Sequence, residues 1–196
     1  MIQLLSLLTS VAALTIAQAQ TVHEPTIAKD NKVVERIQAS DQQSLFPPEY
    51  RALVELNGIY QTQLQYSQLV LQRSTNRAVR QYAYNVYLQY YYSNQELNYL
   101  ARTMGIPLVS IPTTGEELEG IWGQLQKYLQ LSVLSGRQLD EKFISLQVET
   151  HRGALNAIET HLSSTTNEFA KQYLMRAKDT VTRHYEAAQK LQASFF

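Results

Sequence analysis

The side chains that carry the most chemistry are two late histidines, His151 and His184, each within or beside a run of apolar residues at helical spacing. Imidazole in such a setting can hold a single transition ion when other donors meet it. A carboxylate-bridged dimetal centre needs more. It takes one Glu from each of two helices and a Glu-x-x-His pair from each of the other two, because two hard cations require several anionic oxygens. The residues three before His151 and His184 are Val148 and Val181, which offer no ligand atom. Glu55, Glu149 and Glu159 project away from the apolar faces. The pattern therefore argues against the dimetal centre and leaves His151 and His184 as the candidate ligands of one ion. Turn-counting weakens even that. If the last two helices pivot near Ser164, His151 lies thirteen residues before the pivot and His184 twenty after it. The offset of seven residues is roughly 10 Å along a helix axis, too far for two nitrogens on one ion. The expectation is a core histidine at His184 bonded to a tyrosine hydroxyl, His151 at the border of the core, and no metal or other cofactor.

Tyrosine is the second candidate. Seven of the thirteen tyrosines fall in YAYNVYLQYYYSNQELNYL, from Tyr82 to Leu100. On a helix, Tyr82 and Tyr90 lie on the apolar stripe and Tyr87 at its edge, Tyr84 and Tyr91 lie farther round, and Tyr92 and Tyr99 point away. Rings so spread form no stacking platform. The inner ones read as packing and the outer ones, Tyr84, Tyr91 and Tyr92, as candidate contacts with a protein partner or a second copy, since tyrosine is enriched at interfaces.

Other chemistries lack their residues. No Gly-x-Ser-x-Gly elbow, HExxH, phosphate loop or dinucleotide fingerprint occurs. The acids Glu116, Glu117 and Glu119 in TTGEELEG read as the first turn of a helix, favoured by its dipole. Lys plus Arg and Asp plus Glu are seventeen each, so there is no net field to attract nucleic acid. The absence of cysteine excludes disulfides, thiolate metal sites and a Cys nucleophile. No enzyme activity and no catalytic residue are expected.

These residues must be positioned by helices. Pro47 and Pro48 suit a helix start, and Leu53, Leu56, Tyr60, Leu64, Ser67 and Leu71 then recur at three and four residues. After the polar RSTN a second series runs from Val79 through Tyr82, Val86, Tyr90 and Leu97 to Met104, stopped by Gly105 and Pro107. A loop leads to a shorter helix carrying Leu118, Ile121, Trp122, Leu125 and Leu129, which Trp122 is expected to fix to the bundle by burying its ring. The third long face runs from Leu139 to Ile158, and the fourth from Phe169 to Leu191 behind a capping box of Thr165 and Glu168. Strand signals are missing. The fold class is all-α: two helical hairpins joined by a crossover containing a short helix, a four-helix bundle with ferritin-like connectivity over residues 46–194.

The first nineteen residues hold an apolar run too short and too early to span a membrane, ending in Ala17-Gln18-Ala19. That spacing of small residues predicts a signal peptide, 1–19, cleaved after Ala19. Residues 20–45 read as a flexible polar leader. The mature protein is then periplasmic or secreted, with no transmembrane anchor.

The blocks LVLQRSTNRAVRQYA, NQELNYLARTMGIPL and LSGRQLDEKF, with His151 and His184 following, resemble the domain of unknown function 4142 family. The likeness runs from about Leu53 to Leu191. It implies an exported bacterial protein of the ferritin-like superfamily and carries no settled activity. The family often has an Asp-His pair late in its second helix, where this chain has Gln89 and Tyr90. Its second Asp-His pair falls on Thr150 and His151, a first-helix acid falls near Gln63 or Gln65, and His184 is kept. The chain resembles a divergent member. The function expected is a non-catalytic exported bundle acting by protein contact; the alternative is a ferritin-like metal-binding protein with a degenerate site at His151 and His184.

Overall fold

The computed structural model describes residues 47–108 and 115–195. The signal peptide and polar leader assigned to 1–45 lie outside the described residues. Five helices occur among the described residues: α1 Pro48–Arg73, α2 Arg77–Thr103, α3 Gly115–Val133, α4 Gly136–Ser164 and α5 Glu168–Ala193. The packing confirms the expected topology. α1 pairs with α2 and α4 with α5 as two hairpins, α1 also meets α4, α2 meets α5, and α3 lies against α1 and α4.

Local chemistry sets most of the boundaries. Pro48 opens α1 at a position where a missing amide costs nothing. Asn76 caps α2 by accepting from the N–H groups of Ala78 and Val79 at 2.9 and 3.3 Å. At the other end Gly105 takes φ +67°, while Ile106 N–H bonds back to Ala101 O at 2.8 Å and Gly105 N–H to Arg102 O at 3.1 Å, a Schellman ending. The start of α5 departs from the expected capping box. α4 continues through Ser164, so the Thr165 amide completes its last turn on His161 O, and Asn167 becomes the cap that accepts from Ala170 N–H.

Buried Leu53, Leu56, Val70, Val79, Val86, Leu97, Leu139, Phe143, Ile144, Ile158, Leu174 and Val181 form the core on the faces read from the spacing. Each such side chain contributes about 1.5 to 3 kcal/mol on leaving water.

Trp122 does not anchor the crossover helix: it is 57% exposed. α3 is held instead by fully buried Leu131 and by Tyr66 of α1, which stacks on Tyr128 with ring centres 6.5 Å apart and donates its hydroxyl to Gln124 O at 3.1 Å. Thr62 adds a bond to Gln124 Oε1 at 2.7 Å. Trp122 lies roughly 160° around the helix from Gln124, so docking on Tyr66 turns the indole outward. α3 starts at Gly115, which places Glu116, Glu117 and Glu119 among its opening residues as expected.

Candidate functional site

All four long helices contribute to a polar layer inside the bundle. α1 brings Tyr60, Gln63 and Ser67, α2 brings Tyr82 and Tyr90, α4 brings Gln147 and His151, and α5 brings Tyr173 and His184. Spacings of three, four, eight and eleven place each set on one inward helical face.

His151 is fully buried rather than at the border of the core. Its Nδ1 lies 2.7 Å from Gln147 O one turn back, and a carbonyl only accepts, so Nδ1 carries the proton. The lone pair is therefore on Nε2, which has no hydrogen-bond partner. His184 is half-buried, and its expected bond to a tyrosine goes elsewhere: the Tyr82 hydroxyl donates to the His184 backbone carbonyl at 3.2 Å, not to the ring. Burial holds both imidazoles down at a pKa of about 4, with smaller contributions from His184 on His151 and from Arg183 on His184. Both rings are neutral at pH 7.

The two rings also come closer than turn-counting from Ser164 implied. Their centres are 5.8 Å apart, and each is near Tyr90, at 6.0 Å from His151 and 5.6 Å from His184. The reason is the pivot. With α4 ending at Ser164 and α5 beginning at Glu168, the turn centres on Thr166, which leaves an offset of three residues, about 4.5 Å.

Tyr90 is fully buried and its hydroxyl has no partner. Burial, then the neighbouring Tyr60 and Tyr82, push its pKa well above the usual phenol value. Tyr60 and Tyr173 are better satisfied: the Tyr173 hydroxyl lies 2.7 Å from Ser93 O and 3.2 Å from the Tyr60 hydroxyl. Gln63 Nε2 donates to Thr150 Oγ1 at 2.9 Å, leaving Gln63 Oε1, Ser67 Oγ and Gln147 Nε2 buried without partners. A cleft of about 240 Å³ between α2 and α5, lined among others by Tyr60, Gln89, Tyr173 and Arg183, opens beside this layer.

The candidate contact residues are on the surface as read from the spacing: Tyr84, Tyr91 and Tyr92 are all exposed. Tyr91 meets Tyr92 edge-on at 5.6 Å and stacks with Tyr87 at 6.4 Å, while Tyr84 sits about two turns earlier on α2. Nothing in the sequence marks Glu49, Gln147 or Tyr66 as residues of long-range contacts. An acid after Pro-Pro reads as a first-turn residue, a mid-helix Gln reads as surface, and nothing local marks their distant partners.

Residues 34–191 match the family described as Domain of unknown function (DUF4142), well over half of the chain. The chain belongs to the DUF4142 family. Solved structures similar to this DUF4142 chain include a DUF305 fragment from Deinococcus radiodurans, with TM-score 0.67, 18% identity, and coverage of 76% of this chain and 97% of that one. Another is a DUF305 protein from Streptomyces coelicolor, designated a secreted protein, with TM-score 0.64, 15% identity, and coverage of 76% and 94%. At these identities the likeness is one of fold. No curated protein matches the chain.

A ferritin-like bundle implies a dinuclear carboxylate centre, and the residues of this DUF4142 chain do not fit one. Val148 and Val181 stand where the Glu of each Glu-x-x-His pair would be. Glu55, Glu149 and Glu159 are exposed and paired with His161, Lys127 and Lys178 at 2.7, 2.7 and 2.9 Å. Among the described residues no three His, Asp or Glu side chains converge.

Proposed function

We propose that this DUF4142 protein is exported and acts by protein contact, without catalysis, through the apolar band of α3. The observation that carries the reading is the orientation of that helix. It docks by its Gln124, Tyr128 and Leu131 side and presents Leu118, Ile121, Trp122, Leu129 and Val133 to solvent. A contiguous apolar band with an exposed tryptophan is costly in water and typical of a contact surface. A second copy of the chain is the occupant that fits. In antiparallel register Leu118 meets Leu129 and Trp122 meets Leu125. Export is supported by the amino-terminal apolar run ending in Ala17-Gln18-Ala19 and by the secreted designation of a structural neighbour. No described helix is long and apolar enough to cross a membrane.

Light scattering on the mature protein tests the contact. Dimer mass is expected for wild type and for a variant with Tyr84, Tyr91 and Tyr92 changed to Ser, and monomer mass for Trp122→Ser with Leu129→Ser. Monomer mass in all three would reject self-association through α3. Export predicts Gln20 as the amino terminus of the native protein, and an intact Met1 would contradict it. The metal-binding alternative at His151 and His184 is favoured by a separate observation, the 5.8 Å approach of the two rings.

A further inference from the structure

We infer that Tyr90, His151 and His184 form a three-ligand site for a single divalent transition ion of the zinc or cobalt type. The first support is the tautomer. A metal-binding imidazole commonly donates its other N–H to a carbonyl or carboxylate, which fixes the ring and leaves the opposite nitrogen free to ligate. His151 has that arrangement on Gln147 O, and its Nε2 is buried with no protein partner. Burying such an acceptor unpaired is expensive unless something fills the position.

The second support is the geometry of the three rings. With metal–nitrogen distances of about 2.1 Å, two imidazoles on one tetrahedral or trigonal ion have ring centres about 5 to 6 Å apart. The His151 and His184 centres are 5.8 Å apart, and Tyr90 closes the triangle at 6.0 and 5.6 Å. The Tyr90 hydroxyl is the third donor and likewise lacks a partner. The donor set is two neutral imidazoles and a phenol, which suits a borderline first-row ion and not magnesium or calcium. Three protein ligands leave one position open. The cleft between α2 and α5 is lined by Gln89 and Arg183, the sequence neighbours of Tyr90 and His184.

When the ion binds, the phenol O–H bond breaks and the proton leaves to solvent, so the phenolate and the two imidazoles ligate the ion without redox change. Both imidazoles are already neutral at pH 7 and release nothing.

The test uses the mature chain stripped with a chelator and titrated with Zn²⁺ and Co²⁺ at pH 7, with proton release measured from the buffer dependence of the binding heat. One ion per chain and about one proton released are expected. Tyr90→Phe removes only the unpartnered hydroxyl, so the metal-free variant should melt no lower than wild type, bind at least tenfold more weakly and release no proton. His184→Gln should also weaken binding at least tenfold. His161→Gln, which removes a half-buried histidine paired with Glu55 outside the site, should leave ion binding unchanged. Absence of stoichiometric binding, affinity and proton release unchanged in Tyr90→Phe, affinity unchanged in His184→Gln, or binding lost in His161→Gln would each overturn the assignment. So would a crystal structure of metal-soaked protein with only water between His151 Nε2 and the Tyr90 hydroxyl.

Discussion

Glu49, in the first turn of α1, accepts a hydrogen bond from the backbone N–H of Asn167 at 2.9 Å, 118 positions away in sequence. The same Oε1 accepts from the Thr166 N–H at 2.9 Å and the Thr166 hydroxyl at 3.0 Å. One buried carboxylate thus ties the start of the first hairpin to the turn of the second.

Glu49→Ala should destabilise the protein by about 1 to 3 kcal/mol, because it strands buried donors in the α4–α5 turn. Burial acts to raise the Glu49 carboxyl, but the hydrogen bonds from Asn167, its own backbone and Thr166 outweigh it, and the pKa falls below the ordinary 4.5. A carboxyl lowered in the folded state contributes stability above its unfolded pKa and loses it as pH falls through the folded value. Urea denaturation below about pH 4.5 should therefore show a loss in wild type that Glu49→Ala lacks.

The two inward histidines set a second acid dependence at higher pH. Each has a folded pKa of about 4 against an ordinary value of 6.5, so the unfolded chain takes up protons first as pH falls. Stability of the chelator-treated protein should be full above about pH 6.5 and decline toward pH 4, by up to about 3 kcal/mol from His151 alone. Urea midpoints at pH 7, 6 and 5 measure the slope; a flat profile would show that neither ring stays buried and neutral.

The two sides of α3 should respond differently to truncation. Trp122 is 57% exposed, so Trp122→Ala should cost no more than about 1 kcal/mol, and acrylamide should quench its fluorescence readily. Leu131 is fully buried, and Leu131→Ala should cost about 2 to 5 kcal/mol. Thermal melts of the two variants make the comparison.

Two glycines should respond to alanine with opposite sign. Gly105 holds φ +67° at the end of α2, and Gly105→Ala should cost about 1 kcal/mol through backbone strain. Gly153 is exposed inside α4 and an added Cβ meets nothing within 4 Å, so Gly153→Ala should gain about 0.5 to 1 kcal/mol.

The sequence by itself determined the four long helices, their inward faces and the outward position of Tyr84, Tyr91 and Tyr92, because the helical repeat is a local property that burial follows. It also identified the breaks at RSTN and Gly105, where side-chain caps and a positive φ act within a few residues. The tertiary structure alone decided which side of α3 is buried. That helix is apolar over much of its circumference, and the choice rests on Tyr66 and Leu131 rather than on Trp122. It likewise decided the meeting of His151 with His184 and Tyr90, since a two-residue shift in the α4–α5 pivot moves one histidine past the other by several ångströms. Periodicity fixes the angle of a residue around its helix, whereas its level along the bundle depends on caps and on long-range partners such as Glu49, which no local pattern records.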